Sequence, residues 1–369
     1  MRLFKVWHKK SIAVVQLAMV FYFVESVRDR FSITRSNIAE IKGYVALQDN
    51  RGRLGNQASC VSTFWVLSSH TFLRLHYREP TLIAVTFQLF LMASGYGIAR
   101  ILKRKLYYLL PGRFNTTRNY LNLLAQTFPK TAQIYEILQN ESVSQTAVEL
   151  ATDKDLFKAC CRFYNPCGLI QHPAKFLFLE MNFAQNRRYF EEYLPELRDI
   201  FRFSNATKEQ GENDLRYLNM SNASGTMCIH VRRTDFHRFG LQTEWNGTVD
   251  AARNIAVKKG LGNYLIFGDD KEFMSALARH LAQDTSAGTQ KRAFISSFSE
   301  TTDFYLSSRL CSALLLSAAS STFGWWLGFF ARNQNGVYYY RSGRHMEDFR
   351  FQKSDFFLKS WHSYYGNDE

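Results

Sequence analysis

The chain has 369 residues, 46% of them hydrophobic and 15% aromatic, which is enough apolar material for a large core and excludes a disordered chain. The length allows two lobes or one large α/β unit. With 46 Lys and Arg against 32 Asp and Glu, the formal charge of +14 favours an anionic ligand, an anionic membrane surface or nucleic acid without choosing among them.

Residues 1–10 hold Arg2, Lys5, Lys9 and Lys10, and an uncharged run over 11–24 separates them from Glu25, Arg28, Asp29 and Arg30. This asymmetry predicts a cytoplasmic tail over 1–10 and a signal anchor over 11–26. The run is shorter than the roughly 20 residues that span a bilayer comfortably, so a cleaved signal peptide and an ordinary buried helix are the alternatives. The anchor is preferred because Glu25 and bulky neighbours stand where a small-x-small cleavage motif belongs. A polar stem follows over 27–42.

Residues 43–47 read as a first strand, and 51–57 as a glycine-bearing turn backed by Val61, Phe64, Trp65, Ser68, Phe72 and Leu75 at helical spacing. A second uncharged window, 81–99, runs into Arg100, Lys103, Arg104 and Lys105. Its Gln88, Ser94, Gly95 and Gly97, with a β-branched start over 81–86, predict a buried strand leading into a core helix rather than a second span. The polar stretch 205–224 divides an N-terminal, acceptor-side lobe (43–215) from a C-terminal lobe (216–369).

Beyond the divide, strands are expected over 226–231, 263–267 and 292–296 and helices over 250–259 and 271–282. That alternation predicts a parallel sheet with its ligand beyond the carboxyl ends of the strands. Asn-x-Ser/Thr acceptors at Asn115, Asn140, Asn205, Asn219, Asn222 and Asn246 suit a domain facing the secretory lumen, away from nucleic acid. Six cysteines allow up to three disulfides there, and for Cys160, Cys161 and Cys167 a local disulfide is preferred to zinc because no His follows at finger-like spacing.

The sequence His230-Val231-Arg232-Arg233-Thr234-Asp235 closes a buried strand with two guanidinium groups, a good device for a diphosphate; a salt-bridge cluster with Asp235 is the alternative. Asp269 and Asp270 end the next strand, where helix capping and substrate hydrogen bonds are preferred to metal. Ser320, Ser321 and Thr322 precede Phe323, Gly324 and the pair Trp325–Trp326. Hydroxyls and backbone N–H groups at such a helix start suit a phosphate, while the aromatic residues are expected in the core.

In order, GRLGNQ (52–57), HVRRTD (230–235), FGDD (267–270) and the segment 303–326 ending SSTFGWW resemble the motifs of the α1,2-fucosyltransferase family, glycosyltransferase family 11. Thr234 departs from that family's usual glycine and is similar to the α1,6 type. The resemblance implies a two-lobed GT-B-like fold and a type II Golgi membrane protein. It also implies inverting, metal-independent transfer of L-fucose from GDP-fucose, most simply to the 2-OH of a terminal galactose, with no cofactor. An α1,6- or protein O-fucosyltransferase-like activity and a catalytically silent glycan-binding protein are the alternatives. Carried over, it places Arg232 and Arg233 on the pyrophosphate, with His230 and Asp235 shaping that strand end. Gly55, Asn56 and Gln57 would lie at the cleft, and Ser321, Thr322, Phe323 and Gly324 would hold the nucleotide. Asp235, His237 and Glu244 compete for the role of general base, and the oligomeric state stays open, a homodimer included.

Overall fold

The computed structural model describes residues 43–47, 83–110, 116–139, 143–151, 162–181, 184–220, 225–283, 291–341 and 353–365. The anchor, the stem, the turn with Gly55, Asn56 and Gln57, the helix expected behind it, Cys60, Cys160, Cys161 and the acceptors at Asn115, Asn140 and Asn222 lie outside these residues.

Two parallel sheets organise the chain. The strands β1 (Tyr44–Leu47), β2 (Lys105–Leu109), β3 (Tyr135–Leu138), β4 (Thr146–Ala151) and β5 (Phe176–Met181) lie in the order β3-β2-β1-β5-β4. The second sheet holds β6 (Thr226–Val231), β7 (Asn263–Gly268), β8 (Arg292–Ile295), β9 (Cys311–Leu316), β10 (Val337–Arg341) and β11 (His362–Tyr365) in the order β11-β10-β9-β6-β7-β8. Every pairing is parallel, so each connection must cross over, and helices supply most of the crossovers. With both faces of the second sheet covered, β6 is buried at all its positions, which accounts for its unbroken apolar run. The chain lays down β6, β7 and β8 outward, then returns past β6 to lay down β9, β10 and β11 on the other side. This is the order of doubly wound nucleotide-binding sheets, and its switch point falls between β6 and β9.

Helix α1 (Ile83–Leu102) corrects one expectation: residues 83–86, read as strand from their β-branched side chains, are its first turn. Tertiary burial overrides β propensity here, since 83% of Val85–Leu102 is buried inside the protein. Although long and apolar enough to cross a membrane, α1 is a core helix in this structure. At Gly97 it runs so close to the 187–189 turn that a Cβ would lie 1.9 Å from the Tyr189 carbonyl oxygen.

The short helix α2 (Thr116–Thr127) packs on α1, and α3 (Leu194–Ile200) and α4 (Asn205–Tyr217) lead out of the first lobe. Around the second sheet stand α5 (Trp245–Lys259), α6 (Lys271–Ala282), α7 (Glu300–Leu310), α8 (Thr322–Phe330) and α9 (Lys353–Phe356). Asp270, Ser299 and Ser321 cap α6, α7 and α8 by accepting from the N–H groups of Phe273, Thr302 and Gly324. The lobes share one hydrophobic core. Phe90 of α1 lies 4.6 Å from Trp325 and 5.2 Å from Trp326 of α8, ring centre to ring centre, and both indoles are fully buried. The expected core role of this pair is thus what the fold uses.

Cys228 of β6 and Cys311 of β9 form a buried disulfide with 5.4 Å between Cα atoms, while Cys167 is exposed and free among the described residues; Cys160 and Cys161, its expected partners in a local disulfide, lie outside them. The bridge crosses between the two strands that border the switch point and closes a chain separation of 83 residues. Replacing both cysteines with Ala is expected to lower the unfolding free energy by about 2–5 kcal/mol. Denaturant titration of the two forms would measure it, with an unchanged midpoint refuting a stabilising role.

Candidate active site

Register sets the site. In the β6–β7 pairing His230 stands opposite Phe267 and Val231 opposite Gly268, so Arg232 and Arg233 emerge beside Asp269 and Asp270. Gly268 permits this approach: its φ is +156°, and a Cβ there would lie 2.3 Å from the Val231 carbonyl oxygen. On the other side, β9 ends at Leu316 opposite His230, which brings Ser317 under the same loop.

Asp269 orders the backbone that carries the arginines. Its carboxylate accepts from the Arg233 N–H at 2.9 Å and from the Thr234 N–H at 3.2 Å. Thr243 does the same from the other flank: its hydroxyl accepts from the Arg232 N–H at 3.0 Å and lies 2.8 Å from Ser317 Oγ. The Ser317 hydroxyl in turn donates to the His230 carbonyl. Thr243 and Ser317 were invisible to motif reading, because each acts through one hydroxyl on the backbone of another segment.

Both guanidinium groups are held from the Nε side. Arg232 Nε lies 2.9 Å from Asp235 Oδ1 and 3.3 Å from Asp269 Oδ2, with its side chain 8% exposed. Arg233 donates through Nε to Asp270 at 3.0 Å and through Nη1 to the Thr243 carbonyl at 2.6 Å, and it lies 4.3 Å from the Phe273 ring centre. Among the described residues no hydrogen bond uses either Nη of Arg232 or Nη2 of Arg233. The cluster of Arg232 with Asp235 is therefore real, and it orients the guanidinium while leaving its outer N–H groups for an anion.

His230 is fully buried beneath the first turn of α8, with Phe323 5.9 Å away between ring centres. Gly324 makes room for it, since a Cβ would lie 2.7 Å from His230 Nδ1. Neither ring nitrogen has a hydrogen-bond partner among the described residues. Burial, reinforced by the Arg232 charge, pushes the imidazole down to about 3, so it is neutral at physiological pH. The hydroxyls expected on a phosphate have other partners: Ser321 Oγ caps α8, and Thr322 Oγ1 lies 3.0 Å from Thr86 Oγ1 of α1.

Of the competing bases, Asp235 is paired with Arg232, Glu244 accepts from Gln242 Nε2 at 2.9 Å, and His237 is exposed on the short 236–239 helix. Two buried carboxyl groups stand on α7, and Glu300 of the pair feels the charge of Arg232. Both Glu300 oxygens are buried without a hydrogen-bond partner among the described residues, and burial with the neighbouring Asp303 pushes that carboxyl up to about 8 despite the pull of Arg232. Burial raises Asp303 likewise to about 8, against the Ser296 hydroxyl that donates to it. No group of three or more His, Cys, Asp or Glu suited to a metal ion occurs among the described residues.

A doubly wound sheet whose switch point presents oriented guanidinium groups defines an α/β protein built for an anionic ligand. The family model for Glycosyl transferase family 11 matches residues 175–365. A galactoside 2-alpha-L-fucosyltransferase of Caenorhabditis elegans is 27% identical over 288 residues, 74% of this chain and 75% of its own. A second protein of that name from the same organism is 26% identical over 282 residues, 68% of this chain and 66% of its own. A solved structure of POFUT1 in complex with GDP covers 80% of this chain and 96% of that one, at 10% identity and a TM-score of 0.44. The chain belongs to glycosyl transferase family 11, the α1,2-fucosyltransferase family that its four motif blocks resemble, and is an enzyme of that glycosyltransferase class.

The raised carboxyl of Asp303 gives a pH prediction. Its folded value of about 8 exceeds the unfolded value of 3.8, so the folded state holds the proton that the unfolded state has released. The stability it contributes is complete below the unfolded value and is lost as pH rises through the folded value. Asp303→Asn, neutral throughout, is expected to flatten the decline of Tm between about pH 4 and pH 8. A variant whose Tm falls with pH as steeply as the parent's would refute the assignment.

Proposed function

We propose that the enzyme transfers L-fucose from GDP-fucose, with inversion and without a metal, to the 2-OH of a terminal galactose on a glycan acceptor. The observation that carries this reading is the pair Arg232 and Arg233 at the switch point, held by Asp235, Asp269, Asp270 and the Thr243 carbonyl, with both Nη of Arg232 and Nη2 of Arg233 turned to no protein partner among the described residues. When the bond from the anomeric carbon to the diphosphate oxygen breaks, negative charge grows on the diphosphate. Oriented guanidinium groups favour that charge without a cation. Asp269 and Asp270 are committed to the loop backbone and to the α6 cap, which supports a metal-free role for them. The acceptor oxygen bonds to the anomeric carbon from the opposite face, and its proton passes to a base drawn from Asp235, His237 and Glu244. The names of the family relatives support fucose and galactose as donor sugar and acceptor. The N-terminal charge pattern and the family support a type II membrane protein of the Golgi, catalytic body in the lumen.

Transfer from GDP-fucose to galactose-terminated acceptors, with chelator present, tests the reading. Arg232→Ala is expected to lower kcat by about 100-fold or more, and Arg232→Lys, which keeps charge but not the fork, to recover only part of it. A folded parent that binds no GDP would overturn the proposal.

A further inference from the structure

The acceptor asparagines Asn205, Asn219 and Asn246 fall among the described residues, and all three are exposed. Two of their acceptor patterns contain a residue that the fold itself requires. At the first, the Thr207 hydroxyl lies 3.0 Å from Ser204 Oγ in the cap of α4. At the second, Asn219 follows the last turn of α4 with φ at +54°, a left-handed position that Asn tolerates better than most residues.

The third is different. Asn246 is the second residue of α5, Gly247 passes so close to β10 that a Cβ would lie 1.9 Å from Tyr340 Oη, and Thr248 is fully buried. The Thr248 hydroxyl has no hydrogen-bond partner among the described residues. A buried hydroxyl without a partner is a net cost to folding, and Val offers the same shape without that cost. The hydroxyl is what the modifying enzyme reads two residues after the asparagine, and it is accessible to that enzyme only before α5 packs.

We infer that Asn246 carries an N-linked glycan added before folding, and that Thr248 is a threonine to serve that addition rather than the fold. The inference rests on the lumenal reading above. In the addition, the Asn246 amide nitrogen bonds to the anomeric carbon of a lipid-diphosphate-linked oligosaccharide. The bond from that carbon to the diphosphate oxygen breaks, and the lipid diphosphate leaves with the electron pair as the amide gives up one proton. The acceptor stands three residues after Thr243, whose carbonyl accepts from Arg233.

The test is site occupancy in the full chain made in a eukaryotic secretory pathway, read by enzymatic deglycosylation in heavy-oxygen water and peptide mass spectrometry. Asn246 is expected to be occupied in the parent and in Thr248→Ser, and empty in Thr248→Val and Asn246→Gln. Deglycosylated Thr248→Val is expected to melt no lower than the deglycosylated parent. An empty Asn246 beside occupied Asn205 or Asn219 would overturn this inference alone, whereas a chain occupied at no acceptor would overturn the lumenal reading beneath it. A fall in Tm for Thr248→Val would show that the hydroxyl serves the fold and overturn the role given to Thr248.

Discussion

The Trp326 indole N–H donates at 3.0 Å to the Thr86 carbonyl, between residues 240 positions apart, and the arrangement of the two lobes depends on that junction. Thr86 lies in the first turn of α1, where the carbonyl accepts the indole and the hydroxyl meets Thr322. A second indole, Trp325, donates at 2.9 Å to the Phe356 carbonyl and brings the C-terminal segment onto the same core. Indoles suit this work because each adds a large apolar area and one donor that must be satisfied when buried. The outcome is a close-packed seam of Phe90, Phe190, Phe201, Trp325, Trp326 and Phe329 between the lobes.

That seam bears directly on the site. Helix α8 begins at Thr322, beside the ring of His230 and one turn from the indoles, so the first lobe fixes the helix that covers the end of β6. The arginines stand just beyond, on a loop whose N–H groups are fixed by Asp269 and Thr243. Rigidity is thus handed from an apolar seam to a polar loop, and the charged groups reach the switch point already oriented. Orientation before the ligand arrives is what makes such groups effective toward developing charge.

How much of this was legible in the sequence depends on what determined each part. The strand at Thr226–Val231, the helix at Lys271–Ala282 and the capping role of Asp270 were readable because pattern, propensity and capping agree there. The strand at Cys311–Leu316 was not, because α7 passes into it with no intervening turn residue and both sides are apolar. The start of α1 was misread for the opposite reason: β-branched residues at 83, 85 and 86 advertise a strand that burial does not permit. At the site, the arginines and aspartates were found through their charge. Glu300, Ser317 and Thr243 were not, since their importance comes from register and from which segments the switch point brings together.

Helix α1 carries one more consequence, for how the chain is sorted as it is made. Its length and composition are those of a segment that a membrane-insertion channel would accept, with Arg100, Lys103, Arg104 and Lys105 placed as a stop signal would be. What tempers that apolarity is a set of residues buried in the core: Gln88, the Ser94 hydroxyl that donates to the Ala184 carbonyl at 2.6 Å, and the glycines at 95 and 97. These positions serve close contact in the folded protein and also lower the apolarity of the helix. Replacing them with leucine would spoil the packing and also make the helix a stronger candidate to cross a membrane.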